Sequence, residues 1–328
     1  MRASSVLLVA GLLLLGFVSC AGQLDPVPSE PISILSDADF LEASGVTAGS
    51  GAKDDPFVIE GLVIDAGSGV GIRIQGTSAW VLVRGCVFSG DRRSGIGVLI
   101  GESARVIVDS CRFEGLRAGI FVQRTPDAAV TSCDFANCQR GVDASESAEI
   151  AVRDSWFDTS REHGVFLWRC HDAHLEGNRL LNGRNGIYLD SCHRAGLHRN
   201  EADGAERGIF LWDCFDCTVT ENVFHACDLG FALVHTSERN AVYHNLFLEN
   251  ARAATCDEAN NLWDDGYPSG GNYWGDPVDE DRSSGPLQDQ PGPDGIADTP
   301  REVPFSGVDR YPLVVPPEGF EDRTKGEE

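Results

Sequence analysis

The sequence predicts an all-β protein: a single-stranded right-handed parallel β-helix, a solenoid of about 22–24 residues per coil with N- and C-terminal caps. Three observations predict it. First, a phrase restarts at a nearly fixed interval, as in GVFLWRC at 164–170, GIYLDSC at 186–192 and GIFLWDC at 208–214. Its glycine recurs at Gly71, Gly95, Gly119, Gly141, Gly164, Gly186, Gly208 and Gly230, spaced 24, 24, 22, 23, 22, 22 and 22. Second, apolar residues follow each glycine at alternate positions, among them Ile72 and Ile74, Ile96 and Val98, and Ile187 and Leu189, which is the period of a half-buried strand. Third, a second short strand ends at Val83, Val108, Val130, Val152, Leu175, Leu197, Val219 and Val242. Three residues beyond these positions lie Cys86, Cys111, Cys133, Ser155, Asn178, Asn200, Asn222 and Asn245. Helical repeats need a 3.6-residue period and leucine-rich repeats a Leu-x-x-Leu-x-Leu frame, and neither is present.

The elements follow in chain order. Residues 1–20 hold one Arg and then the apolar run Val6 to Val18, too short to span a bilayer and suited to a signal peptide. The run ends at Phe17-Val18-Ser19-Cys20, similar to a lipobox, so Cys20 is the expected lipidation site. Residues 21–35 are expected to be a linker and 36–260 the β-helix, with DFLEASGV as its N-terminal lid. In 261–315 the Tyr- and Trp-rich YPSGGNYW forms a C-terminal cap with an acidic loop, and 316–328 reads as a disordered tail.

In stacked coils each position meets its own equivalent, so side chains form ladders. Asn178, Asn200, Asn222 and Asn245 form one, with amides bonding each other and the turn backbone. Cys170, Cys192 and Cys214 form another, at the position of Thr77, Thr125, Ser147 and Thr236, so these thiols are expected to fill core space. Disulfides between stacked coils are also compatible with the distances.

The edge motifs GSGAKDDPFVIEGLVID at 49–65, NLWDDGYPSGGNYWGD at 261–276, GPDGIADTP at 292–300 and VDRYPL at 308–313 resemble those bracketing NosD-like right-handed β-helix proteins. The resemblance covers about residues 32–315. It implies a scaffold shared by carbohydrate-processing β-helices and by the copper-accessory protein of nitrous oxide reductase maturation.

The formal charge of −25 repels nucleic acid and anionic membranes, so nucleic acid is excluded as a partner and any membrane contact rests on the lipid of Cys20. The expected location is extracytoplasmic, as a periplasmic or cell-surface lipoprotein. On adjacent coils, Phe166 and Trp168, Tyr188 and Asp190, and Phe210 and Trp212 occupy outward positions. Exposed rings in register point to an extended ligand, a polysaccharide first, with Asp190 and Asp213 accepting hydroxyl bonds. Cover by the chain itself or by a protein partner are the alternatives. Turnover stays open: a hydrolase needs two carboxylates across the scissile bond, for which Asp190 with Asp213 or Asp172 are the candidates, and no calcium cluster with a basic residue, as a lyase requires, is assignable. His171 and His193, 22 apart, are the candidate copper ligands that the NosD resemblance brings in. The alternative function is then an extracytoplasmic copper-binding accessory protein, or a non-catalytic scaffold for a protein partner. Asp276, Asp279, Asp281, Asp294 and Asp298 are the candidate Ca²⁺ ligands of the acidic loop.

Overall fold

The structure, a computed structural model, describes residues 26–41, 45–102, 105–275, 280–317 and 320. Residues 1–20, expected as a signal peptide ending at Cys20, lie outside the described residues, as do Asp276 and Asp279. The chain winds into a right-handed parallel β-solenoid of about nine turns, with three ten-stranded sheets running its length. Every coil contributes one strand to each sheet. The repeated phrase builds the glycine sheet, from Ile32–Ile34 through His163–Trp168, Asn185–Asp190 and Arg207–Trp212 to Ala254–Cys256. The valine sheet runs from Val46–Ala48 to Ala241–Tyr243, and the phenylalanine sheet from Val27–Ser29 to Leu246–Leu248. Pairing within the coils is parallel throughout; the one antiparallel pair in these sheets joins Val46–Ala48 to Phe57–Glu60 at the N-terminal edge.

Two corrections concern register. Ile72 pairs with Val98, and Val98 with Ile120, so the second coil's phrase begins at Gly97 rather than Gly95, giving intervals of 26 (97 − 71) and 22 (119 − 97). The extra residues form the turn Asp91–Gly95, which Gly95 N–H closes onto Asp91 O at 2.7 Å. Ile96 therefore points outward, into a small cluster with Leu99 and Ala118. In the thiol ladder, the rung after Cys214 is Ser237, whose hydroxyl accepts from Cys214 N–H at 3.0 Å, whereas Thr236 is exposed and donates to Asp213.

The core explains the glycines. Phe88, Phe113, Phe135 and Phe157 stack at centroid distances of 4.9, 4.8 and 4.6 Å, and Phe224 and Phe247 continue the column after Leu180 and Ala202. These rings lie against the glycine backbone: a Cβ on Gly141 would meet the Phe157 ring at 2.5 Å and Gly164 O at 2.6 Å. Trp274 covers the C-terminal end of the column on Phe247 at 4.6 Å, and at the N-terminal edge Phe40 covers Phe57 of the valine sheet at 4.2 Å. Caps of this kind cover the open ends that a solenoid exposes.

A second internal column is polar. Cys111 N–H donates to Cys133 Sγ, Cys133 N–H to Ser155 Oγ and Ser155 N–H to Asn178 Oδ1. The backbone N–H groups of Asn178, Asn200, Asn222 and Asn245 then each donate to the next amide oxygen, ending on Asn272. Asn272 N–H donates in turn to Asp309 Oδ2 at 2.8 Å. Each amide also gives an N–H to a core carbonyl, as Asn200 Nδ2 does to Leu175 O at 2.8 Å, so the buried backbone of these turns is satisfied. All ten described cysteines are buried and unpaired, as core filling expects.

Residues 27–34, expected as linker, supply the first strands, pairing with Leu62–Ile64 and Ile72–Ile74. Phe320, from the segment expected as tail, is buried beside Val223 and Leu246. No helix among the described residues is long and apolar enough to cross a membrane.

Candidate functional site

The outer face of the glycine sheet carries the sequence-predicted residues in two columns. Asp143, Phe166, Tyr188, Phe210 and Ala232 are in register along the axis, and so are Ser145, Trp168, Asp190, Trp212 and Val234. In the first column Phe166 and Tyr188 stack at 5.5 Å and Tyr188 and Phe210 at 5.2 Å, with interplanar angles of 21° and 12°. Rings stacked along the axis turn their faces to one another. Arg140 covers Phe166 at 4.7 Å and Arg207 covers Phe210 at 5.1 Å. A ligand on this column meets ring edges, so the expected face-on sugar stacking is not available here. The second column differs. Trp212 is 38% exposed and lies on His235 at 4.8 Å, Trp168 carries Arg169 at 4.6 Å, and Asp190 sits on the coil between the two indoles.

The carboxylates behave differently from one another. Ser191 Oγ lies 2.7 Å from Asp190 Oδ1 and 3.5 Å from Asp213 Oδ2, so one hydroxyl links the two candidate catalytic residues. Asp213 also accepts from the Thr236 hydroxyl. Asp172 stands apart from this pair: Arg194 grips it bidentately at 2.7 Å through both nitrogens, with His171 at 3.0 Å. Together they hold its carboxyl well below the usual carboxylate range. Such a group is no proton donor at neutral pH.

His171 and His193 are bridged on adjacent coils, as the 22-residue interval implies. His171 Nδ1 is turned to Asp172, and His193 stacks on Phe215 at 5.2 Å. Among the described residues no three His, Cys, Asp or Glu side chains converge. The acidic loop uses its carboxylates internally. Asp281 accepts from the N–H groups of Asp294 and Gly295, Asp294 from those of Gly285 and Ile296, and Asp298 from those of Arg282 and Ser283. All three carboxylates are taken up by backbone N–H groups of the loop, and among the described residues no three of them converge on one point.

Sequence reasoning missed the leading edge of the same sheet, where four successive marker glycines follow a polar residue: Arg140, His163, Asn185 and Arg207. Arg140 bonds Asp143 and Glu162, both at 2.9 Å, and Asp143 is only 4% exposed. Burial pushes the Asp143 carboxyl up in spite of Arg140. His163 packs on Phe166 and Tyr188, and its Nδ1 faces Asn185 Nδ2 at 3.2 Å, which assigns the proton to Nε2. Burial, helped by Arg140, lowers its pKa to about 4, so the imidazole is neutral at pH 7. Asn185 Oδ1 accepts in turn from Arg207 at 3.3 Å. The signal was present as a run of polar residues preceding glycine, but it carries no motif.

The sequence model of a family described as periplasmic copper-binding protein (NosD) matches residues 52–204 and 171–278. No protein among those of curated function matches the chain. Solved structures with similar coils include the periplasmic alginate epimerase AlgG, 14% identical, covering 62% of this chain and 65% of that one, with a TM-score of 0.48. They also include the Streptococcus pneumoniae surface adhesin PfbA (13% identity, 89% and 78% covered, TM-score 0.49). A third is a lacto-N-biosidase from Eubacterium ramulus (10%, 65% and 58%, 0.47). The chain spans about two thirds of the epimerase's length, or slightly less.

Proposed function

The chain belongs to the NosD family of periplasmic copper-binding proteins, and from that premise we propose that it is an exported β-helix that binds an extended polysaccharide on the outer face of its glycine sheet. The observation that carries this reading is the Trp168–Asp190–Trp212 column. Two indoles two coils apart, about 10 Å along the axis, flank a carboxylate, and the outer one is well exposed. A sugar ring over Asp190 meets an apolar surface on each side and a hydroxyl acceptor beneath, the combination that carbohydrate sites use. Tyr188 and the edges of Phe166 and Phe210 extend that floor. Asp190 and Asp213, linked through Ser191, supply the carboxylate pair should the site also turn over its ligand.

The test is a tryptophan-fluorescence titration of the full chain against neutral and acidic oligosaccharides. Changing Trp168 and Trp212 to Ala is expected to weaken binding at least tenfold with the fold intact by circular dichroism. A flat response across the panel refutes the reading. Retention at the membrane is expected to depend on Cys20, and Cys20→Ser to release the protein.

The family description favours a second reading, copper delivery, in which His171 and His193 hold the ion. Copper would there be cargo. The described residues offer these two imidazoles and no third converging donor, so they do not fit a closed copper site of the chain's own. Copper retained through dialysis in stoichiometric amount, and lost in the His171→Ala, His193→Ala variant, would establish this reading.

A further inference from the structure

Tryptophans on the outside of this rod carry cations. Trp263 and Trp274 belong to the C-terminal cap, which leaves four on the coils. Trp80 lies under Lys53 and Arg105, Trp156 under Arg179 at 4.7 Å and Trp168 under Arg169 at 4.6 Å. Trp212 is the exception: among the described residues no Lys or Arg lies over it, although it is 38% exposed. One of its faces is taken by His235, from the next coil, at 4.8 Å with 23° between the planes. A ring stacked on its neighbour along the axis lies across that axis, so the other face of Trp212 looks back towards the coil of Asp190.

That open face borders carboxylates. The Asp190 carboxylate accepts from the Ser191 hydroxyl at 2.7 Å, and Asp213 shares the same hydroxyl at 3.5 Å and accepts from Thr236. Among the described residues neither carboxylate is paired with a Lys or Arg; His235 Nδ1 lies 3.9 Å from Asp213 Oδ1. Trp168 closes the slot on the far side, in register with Asp190 and Trp212. Two coils at ~4.8 Å each separate the indoles, so a group over Asp190 sits about 5 Å from both, inside the ~6 Å over which an aromatic face attracts a cation. Two π faces around a carboxylate are the recognition geometry of an ammonium group, and the net charge of −25 raises the local concentration of cations around it.

We infer that the polysaccharide is cationic, a hexosamine chain whose free, protonated amino group sits over Asp190 between Trp168 and Trp212. The inference rests on the polysaccharide reading above and names the class of sugar. An ammonium on a pyranose carbon offers three donors to Asp190 and Asp213 while the C–H face of its ring lies along the indole. N-acetylation removes the charge and sets a methyl group over the carboxylate, and a hydroxyl at the same carbon leaves the cage without its cation.

The experiment titrates the full chain with three β-1,4-linked oligomers of equal length that differ at one carbon, a glucosamine, an N-acetylglucosamine and a glucose oligomer, at a pH at which the amines are protonated. An oligolysine of equal charge is the fourth probe. The glucosamine oligomer is expected to bind at least tenfold more tightly than each of the others. Asp190→Asn, which keeps the shape of an outward-facing side chain, is expected to bring it down to the affinity of the glucose oligomer, with the fold intact by circular dichroism. Glu114→Gln removes the same charge from an exposed position on the phenylalanine sheet and is expected to leave the preference in place. Equal affinity for the three sugars overturns the inference and leaves the polysaccharide reading standing. A preference that Asp190→Asn lowers no more than Glu114→Gln assigns the attraction to the acidic surface at large and overturns the site, and oligolysine binding as tightly overturns the sugar assignment. Binding of none of the three sugars also overturns the inference, and the polysaccharide reading falls with it only if the wider panel of neutral and acidic oligosaccharides is flat as well.

Discussion

His163 shows how position in the coil decides chemistry. The same residue type at 171 and 193 lies on the exposed bridge between sheets, whereas His163 is packed under Phe166 and Tyr188 and faces Arg140, Glu162, Arg184 and Arg207. Its pKa falls from 6.5 to about 4, so between these values the unfolded chain binds a proton that the folded one refuses. Stability therefore rises with pH across this window and is lost as pH falls from about 6.5 towards 4, by at most about 3 kcal/mol. His163→Gln, which keeps an acceptor for Asn185, is expected to flatten that part of a denaturation-midpoint-versus-pH profile. An unchanged slope would assign it to other groups. Asp309 moves oppositely: burial raises its carboxyl to about 6 against the pull of three N–H donors, so its contribution is lost as pH rises from about 4 to 6. None of this was legible in the sequence, because a single histidine before a glycine has no pattern; only the stacking of coils sets Arg140 and Tyr188 against it.

At the scale of the element, the repeat was legible because every strand obeys the same steric rule. A glycine is required where the phenylalanine of the neighbouring sheet and the next coil's carbonyl both reach the backbone. Gly141→Ala brings its Cβ to within 2.5 Å of Phe157 and 2.6 Å of Gly164 O, and is expected to cost about 1–3 kcal/mol by overpacking. Gly61→Ala has open space around it and a φ of +65°, so its cost is dihedral strain alone, about 1 kcal/mol. Urea denaturation of the two variants separates crowding from strain, and equal losses would refute the steric account. The same rule explains the misplaced marker at Gly95: a glycine in a loop, two residues before the strand position, is indistinguishable in sequence from one under a ring. Register came from Val98 pairing with Ile72 and Ile120. The aromatic ladder was likewise visible as alternation, but not that Phe166, Tyr188 and Phe210 turn their faces to each other, since alternation fixes the side of a sheet and not the tilt of a ring.

The whole molecule depends on its ends. Trp263 and Trp274 are buried in the C-terminal cap, Asn261 accepts from Asn240 N–H at 2.9 Å, and Asn272 and Asp309 close the long amide column. Removing residues 261–328 is expected to strip Phe247 of its covering ring and leave an open, unpaired sheet edge. That chain should aggregate on size-exclusion chromatography; a monomeric, folded truncation would show that the cap is dispensable. The interior makes a second expectation. Burial pushes the Cys138 and Cys227 thiols up to about 11, and all ten described thiols are buried, so a thiol reagent should label none of them until the chain is denatured.

The amide column has one further consequence. Asn178, Asn200, Asn222 and Asn245 each give one Nδ2 hydrogen towards the next asparagine on the Asp309 side, and Asn200, Asn222 and Asn245 meet an asparagine amide on either side. A coil excised or duplicated between two such rungs presents the same acceptor above and the same donor below. Evolution can therefore lengthen or shorten this rod by whole turns without redesigning either end, and each added turn lengthens the outer face by one more outward-facing register.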